Sequence, residues 1–218
     1  MTPLQLKNFF RSDVRDEAAP YLWSDAEIYS YMDDAQKMFC RLTGGLADYS
    51  SPLCEIPVSA GARTVAYDPR ILKLRGIRRV SDGEGVKVLN YEDMDVRYAD
   101  HRNWERPGPI QAVITGMEAN KLVLVGTPVV DDALRATVYR LPLEAVTETS
   151  TSFEIDEQHH RHLLSWMKHL AHEKQDAETY DRGRAAEFRQ KFLEYCAEAK
   201  GERERREHKY RTISYGGL

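Results

Sequence analysis

The sequence predicts an α+β protein: an α-helical bundle made from the N- and C-terminal segments, a small antiparallel β domain inserted between them, and an extended C-terminal tail. Three observations carry the prediction. A strong helix start with Trp23, Ser24, Glu27 and Ile28 stands near the beginning of the chain. Short β-prone runs separated by turn residues fill 55–141. Helical periodicity then returns near Asp156 and gives way, past Gly201, to a charged run and an aromatic end. The 218 residues divide accordingly into N-terminal helices (1–53), the inserted β domain (54–145), C-terminal helices (146–205) and the tail (206–218).

Thr2 or Pro3 can open a first short helix reaching Phe10, and Pro20 limits how far helix can continue. Ser24 then caps a longer helix, with Glu27 three residues on completing a capping box and Trp23 placed to staple onto Ile28. Ile28, Tyr31, Met32, Ala35, Phe39 and Leu42 recur at helical spacing until Gly44 and Gly45 end the run. In the middle, 63–67 and 71–74 read as strands around the Asp68-Pro69 turn. The runs 78–80 and 86–89 flank a glycine-bearing hairpin turn, and 110–115 pairs with 122–125 across a second one. Residues 135–141 form the last strand, and 98–109 read as an exposed loop. A Thr/Ser-rich linker at 144–152 leads to a helix with His160, Leu163, Leu164, Met167, Leu170 and Ala171 on one face. A second helix from about Ala177 carries Phe188, Phe192, Tyr195 and Ala199.

Bulk properties exclude several classes. A net charge of −4 gives no basis for bulk attraction to nucleic acid. No apolar run is long enough for a membrane helix, and the start of the chain lacks a signal-peptide pattern. Cys40, Cys54 and Cys196 are too far apart in sequence for a zinc motif and read as buried thiols.

The five histidines at 159, 160, 162, 169 and 172 invite a metal-site reading. Their spacing does not converge on one point, so they read as surface or interface histidines that could make a subunit contact pH-sensitive. No nucleophile elbow or phosphate loop occurs, so no catalytic residue, metal ligand or cofactor is expected. Arg75, Arg78 and Arg79 form a small basic patch, read as a solvated strand face before a DNA contact.

The end of the chain is the more informative part. The sign-alternating run holding Arg203, Glu204, Arg205, Arg206 and Glu207 suits ion pairs between subunits. Tyr210, Arg211, Ile213, Tyr215 and Leu218 follow it, and their apolar side chains have no local core to enter. Extended, this tail reaches roughly 40 Å and could seat in a partner's groove or sheet edge.

Several stretches together resemble the head-to-tail adaptor (connector, or tail tubular) proteins of tailed bacteriophages, particularly the short-tailed type. These are the 22–31 start with the following Asp34, Ala35 and Gln36, then 67–72, 124–128 and 139–143, and finally 153–160. Each motif is short, but their order spans most of the chain. Phe153 and Asp156 stand where prolines are expected, and Gly126 where an aromatic or proline is usual. The resemblance implies a structural, non-enzymatic virion protein made in the host bacterial cytoplasm and placed at the head–tail junction. It implies a ring, typically dodecameric, bound under the portal protein, with the tail as portal anchor. Such a ring extends the DNA channel without binding DNA specifically and docks nozzle, tail-tube or fibre proteins. A tail-completion or head-closure protein lying below another adaptor is the alternative, and a nucleic-acid-binding regulator stands further off.

Overall fold

In the computed structural model, residues 1–93, 104–176 and 178–207 are described. The chain separates into two compact units, 1–43 with 144–218 and 44–143.

The first unit is helical. α1 (Pro3–Val14) starts at Thr2, whose hydroxyl accepts from the Gln5 N–H while the Gln5 side chain accepts from the Thr2 N–H. α2 (Asp25–Thr43) starts the same way: the Glu27 N–H donates to Ser24 Oγ at 3.3 Å and the Ser24 N–H donates to Glu27 at 2.8 Å. Each box satisfies two of the N–H groups that a helix start leaves unpaired. α2 buries Ile28, Met32, Ala35, Phe39 and Cys40, spaced so that they share a stripe.

A short α3 (Glu157–His160) precedes α4 (Leu163–Glu173), and α5 (Arg182–Glu207) closes the described chain. α4 and α5 pack on each other and on α2, with α1 against α2 and α4. Phe10, Ile28, Met32, Leu163, Met167 and Phe192 are fully buried.

α5 differs from expectation at both ends. It starts at Arg182, past Ala177, which lies outside the described residues, because Asp181 supplies the cap: its carboxylate accepts the Arg184 N–H at 3.0 Å. It passes Gly201, as the expected helical segment to 205 requires, and ends at Glu207, so Arg206 and Glu207, expected in the extended tail, are helical. A mid-helix glycine costs only about 1 kcal/mol against alanine, too little to stop a helix flanked by good formers.

The second unit is a curled, mixed eight-stranded sheet ordered β1-β8-β4-β5-β6-β7-β3, with β2 also on β8. The strands are β1 (Leu46–Asp48), β2 (Glu55–Val58), β3 (Thr64–Ala66), β4 (Ile71–Arg79), β5 (Gly85–Asn90), β6 (Ala112–Thr115), β7 (Lys121–Val125) and β8 (Asp132–Arg140). β8 is the spine: β1 and β2 share one of its edges, beside its end and its start, and β4 occupies the other.

The sheet corrects the antiparallel expectation, because β5 and β6 pair parallel, Lys87 opposite Ala112 to Asn90 opposite Thr115. Parallel neighbours need a long connection, and the stretch from Tyr91 to Gln111 provides one. The runs 71–74 and 78–80 are parts of one strand, β4, which stays continuous by bulging between Ile71 and Lys73 and between Leu74 and Gly76.

Both faces of β6 and β7 are covered. Val113, Leu122 and Leu124 join the main core with Ile56, Ile77 and Leu134. Ala112, Ile114 and Val125 pack on the other side with Trp104. The stretch 98–109 therefore is not simply an exposed loop. Trp104 is buried, and its carbonyl accepts the Gly126 N–H at 3.2 Å, while 98–103 lie outside the described residues. Gly126 is required there: its φ is +99°, and a Cβ would sit 2.6 Å from the Pro109 carbonyl oxygen.

Candidate assembly surfaces

The end of α5 is built from an inner and an outer side. Ala185, Phe192, Cys196 and Ala199 are buried, spaced by seven, four and three residues so that they share one side of the helix. Arg203 continues this stripe, and its guanidinium donates to the Thr43 carbonyl at 3.3 Å. It thereby satisfies one of the orphan carbonyls at the end of α2 and places a positive charge at that helix's negative pole. Of the residues expected at a subunit interface, Arg203 is thus turned to its own chain, because the helical period that continues through Gly201 points it inward.

Glu204, Arg205 and Arg206 are exposed, and Arg206 lies 3.9 Å from Glu202 on a solvated face. Such a pair adds at most about 1 kcal/mol to the fold, so these charges remain available to a partner. Glu207 is the last residue of the helix. Tyr210, Arg211, Ile213, Tyr215 and Leu218 lie outside the described residues.

Around Tyr195 the aromatic groups of three segments meet. His159 Nδ1 and the Tyr195 hydroxyl are 2.7 Å apart. The His162 ring stacks flat on Tyr195, centroids 3.4 Å apart and planes within 6°. Phe39 of α2 closes the other side of His159 at 4.6 Å. Burial pushes the His159 imidazole below its ordinary value, helped by His162 and His160 and opposed by Asp156 and Glu202. Burial against the stack lowers His162 as well, with Arg161 adding to it and Glu198 opposing.

The remaining histidines correct the surface reading. His160, His169 and His172 are buried, with Nδ1 facing the carbonyl oxygens of Met1, Ala185 and Thr179 at 2.9, 3.0 and 3.2 Å. Those partners are the carbonyls of Met1 ahead of α1, of Ala185 near the start of α5 and of Thr179 shortly before it; periodicity alone gives no sign of them.

Among the described residues, no three His, Cys, Asp or Glu side chains are grouped to hold a metal ion. The three cysteines are buried and outside any disulfide, and burial pushes the Cys196 thiol up to about 12, far from a reactive thiolate. Of the arginine patch, Arg79 is locked by Asp82 and by the Ile110 carbonyl, and Arg75 donates to the Tyr139 hydroxyl. No described helix is long and apolar enough to cross a membrane.

What each unit does offer is exposed apolar surface. Val129 and Val130 on the β7–β8 connection are each 70% exposed, with Tyr49 and Val80 exposed elsewhere in the sheet unit. Leu4 and Phe9 on α1 and Tyr21 before α2 are exposed on the helical unit.

No curated protein matches the chain. The family model described as SU10 adaptor protein matches residues 1–214, nearly its whole length. The chain belongs to the SU10 adaptor protein family, and so is a structural phage adaptor, a protein of the virion.

Proposed function

We propose that this adaptor is a head-to-tail connector of the short-tailed phage type. In this reading a closed ring of copies, typically twelve, sits under the portal, extends the DNA channel and docks the next tail proteins. The family match over 1–214 carries the reading, since it takes in both units and most of the residues beyond α5. The charged outer side of α5 and the apolar side chains exposed on both units support it as surfaces for neighbours. A ring needs two different lateral faces that close by rotation, and mixed charged and apolar surface of this kind suits them. The net charge of −4 suits a conduit that lets DNA pass without gripping its phosphates.

The tail, with Tyr210, Arg211, Ile213, Tyr215 and Leu218, is the portal anchor in this reading. The test is a chain truncated after Glu207, mixed with portal rings and sedimented. It should lose portal binding while the helical unit keeps its circular dichroism. Normal binding by the truncated chain overturns the anchor. Crosslinks from the intact tail to a second adaptor, with none to the portal, would transfer the protein to the head-closure or tail-completion role.

A further inference from the structure

The sheet unit carries a projection and a hollow that match in chemistry and lie toward opposite ends of one strand. The projection is the β7–β8 connection, where Val129 and Val130 stand side by side in water. Its footing is fixed on both sides of the valines. The Pro128 carbonyl accepts the Gly61 N–H at 2.8 Å, and the Asp131 carboxylate accepts the Ala60 N–H at 2.8 Å. Asp132 accepts the Ser81 N–H at 3.1 Å and its hydroxyl at 2.7 Å. A tip tied at both ends loses little freedom when it binds.

The hollow comes from the way β4 and β5 part. β4 pairs with β5 only at Ile77 and Arg78, opposite Val86 and Gly85, and from Lys87 onward β5 follows its parallel partner β6. Among the described residues, the first half of β4 has β8 as its one strand partner. The gap is a cleft of about 610 Å³, with Leu72, Lys73, Leu74, Val88 and Leu89 on its walls. Leu74 and Val88 rest on the main core, whereas Leu72 is 40% exposed. Lys73 is the single charged residue lining the cleft, and among the described residues nothing pairs with its ammonium.

We propose that the Val129–Val130 knuckle of one copy seats in the β4–β5 cleft of the next, with Asp131 beside it meeting Lys73. This rests on the ring reading and names a contact that joins neighbouring sheet units. The apolar knuckle suits the apolar walls, and moving two valines out of water favours association. The charges match as well: Asp131 is exposed next to the valines, and Lys73 is the free cation at the cleft. Placement supplies the third reason. β4 runs antiparallel to β8, so its Arg79 end lies by the start of β8, just past the knuckle, while the cleft lies toward its Ile71 end. The nine residues of β4 span about 25 Å. Two different patches that far apart join copies head to tail, which is the kind of contact that closes a ring by rotation.

The experiment uses full-length chains, with assembly alone and on portal rings followed by native mass spectrometry. One chain carries Val130→Cys and the other Leu72→Cys, with Lys73→Cys as a second position on the cleft; the three native cysteines are buried. A short bismaleimide should give a crosslinked dimer when the two chains are assembled together and none from either chain by itself. Val129→Ser with Val130→Ser, which alters exposed side chains only, should raise the concentration needed for assembly by about tenfold or more. Assembly that proceeds as readily with the serine pair, or that gives no crosslink at either cleft position, overturns the contact and leaves the ring reading standing. Crosslinks within the Val130→Cys chain alone overturn the head-to-tail assignment. Chains that stay monomeric both alone and with the portal overturn the ring reading and the contact with it.

Discussion

At the scale of single residues, a few side chains decide whether each unit holds. Asp48 sits between strand and turn. Burial alone would raise its carboxyl, but hydrogen bonds from Ser51 and Arg140 and from the Ser50 and Ser51 N–H groups hold it well below the usual carboxylate range. Its side chain and that of Arg140 are 6% and 12% exposed, so removing one partner strands a buried charge. Asp48→Asn should cost about 3–5 kcal/mol in urea unfolding of the sheet unit. The wild-type contribution is complete above the ordinary carboxylate value of 3.8 and is lost as pH falls through the lower value of the folded state. Gly126→Ala forces a left-handed φ on alanine and pushes its methyl into the Pro109 carbonyl. About 1–3 kcal/mol of destabilisation is expected, read as a lower Tm with the far-ultraviolet spectrum retained.

At the scale of elements, α5 links the described body to the residues beyond it. Arg203→Ala should remove about 1 kcal/mol and lower exchange protection at the ends of α2 and α5 together, because one bond serves both. Charge reversal of Arg205 and Arg206 should leave monomer stability within about 0.5 kcal/mol and weaken ring formation, seen by native mass spectrometry. If assembly is unchanged, the outer side of α5 is not a lateral contact. α2 was the most legible element, since Ser24, Glu27, the apolar stripe and Gly44-Gly45 specify its start, face and end by local chemistry alone. The glycine-bearing hairpins of β4–β5 and β6–β7 were legible for the same reason. The parallel pairing of β5 with β6 was not, because a parallel partner is chosen by tertiary packing across a long connection and leaves no local mark. β1 and β2 are too short to show alternation, and each is stabilised by its place on β8. Arg203, expected at a subunit contact on account of its charge, bonds to the Thr43 carbonyl of its own chain because the helical period through Gly201 carries it onto the inner stripe. The partners of His160, His169 and His172 are backbone carbonyls, which residue spacing cannot reveal.

At the scale of the whole molecule, the chain is built from a helical unit and a curled sheet unit. Neither unit brings together a metal-binding group among its described residues, and both leave large apolar side chains in water. The most direct test of the central claim is the native mass of the purified protein, alone and after mixing with its portal ring. A portal-bound adaptor ring should join the portal as a fixed multiple, which gives the copy number. A mass unchanged by the portal, with the portal ring left bare, would contradict it.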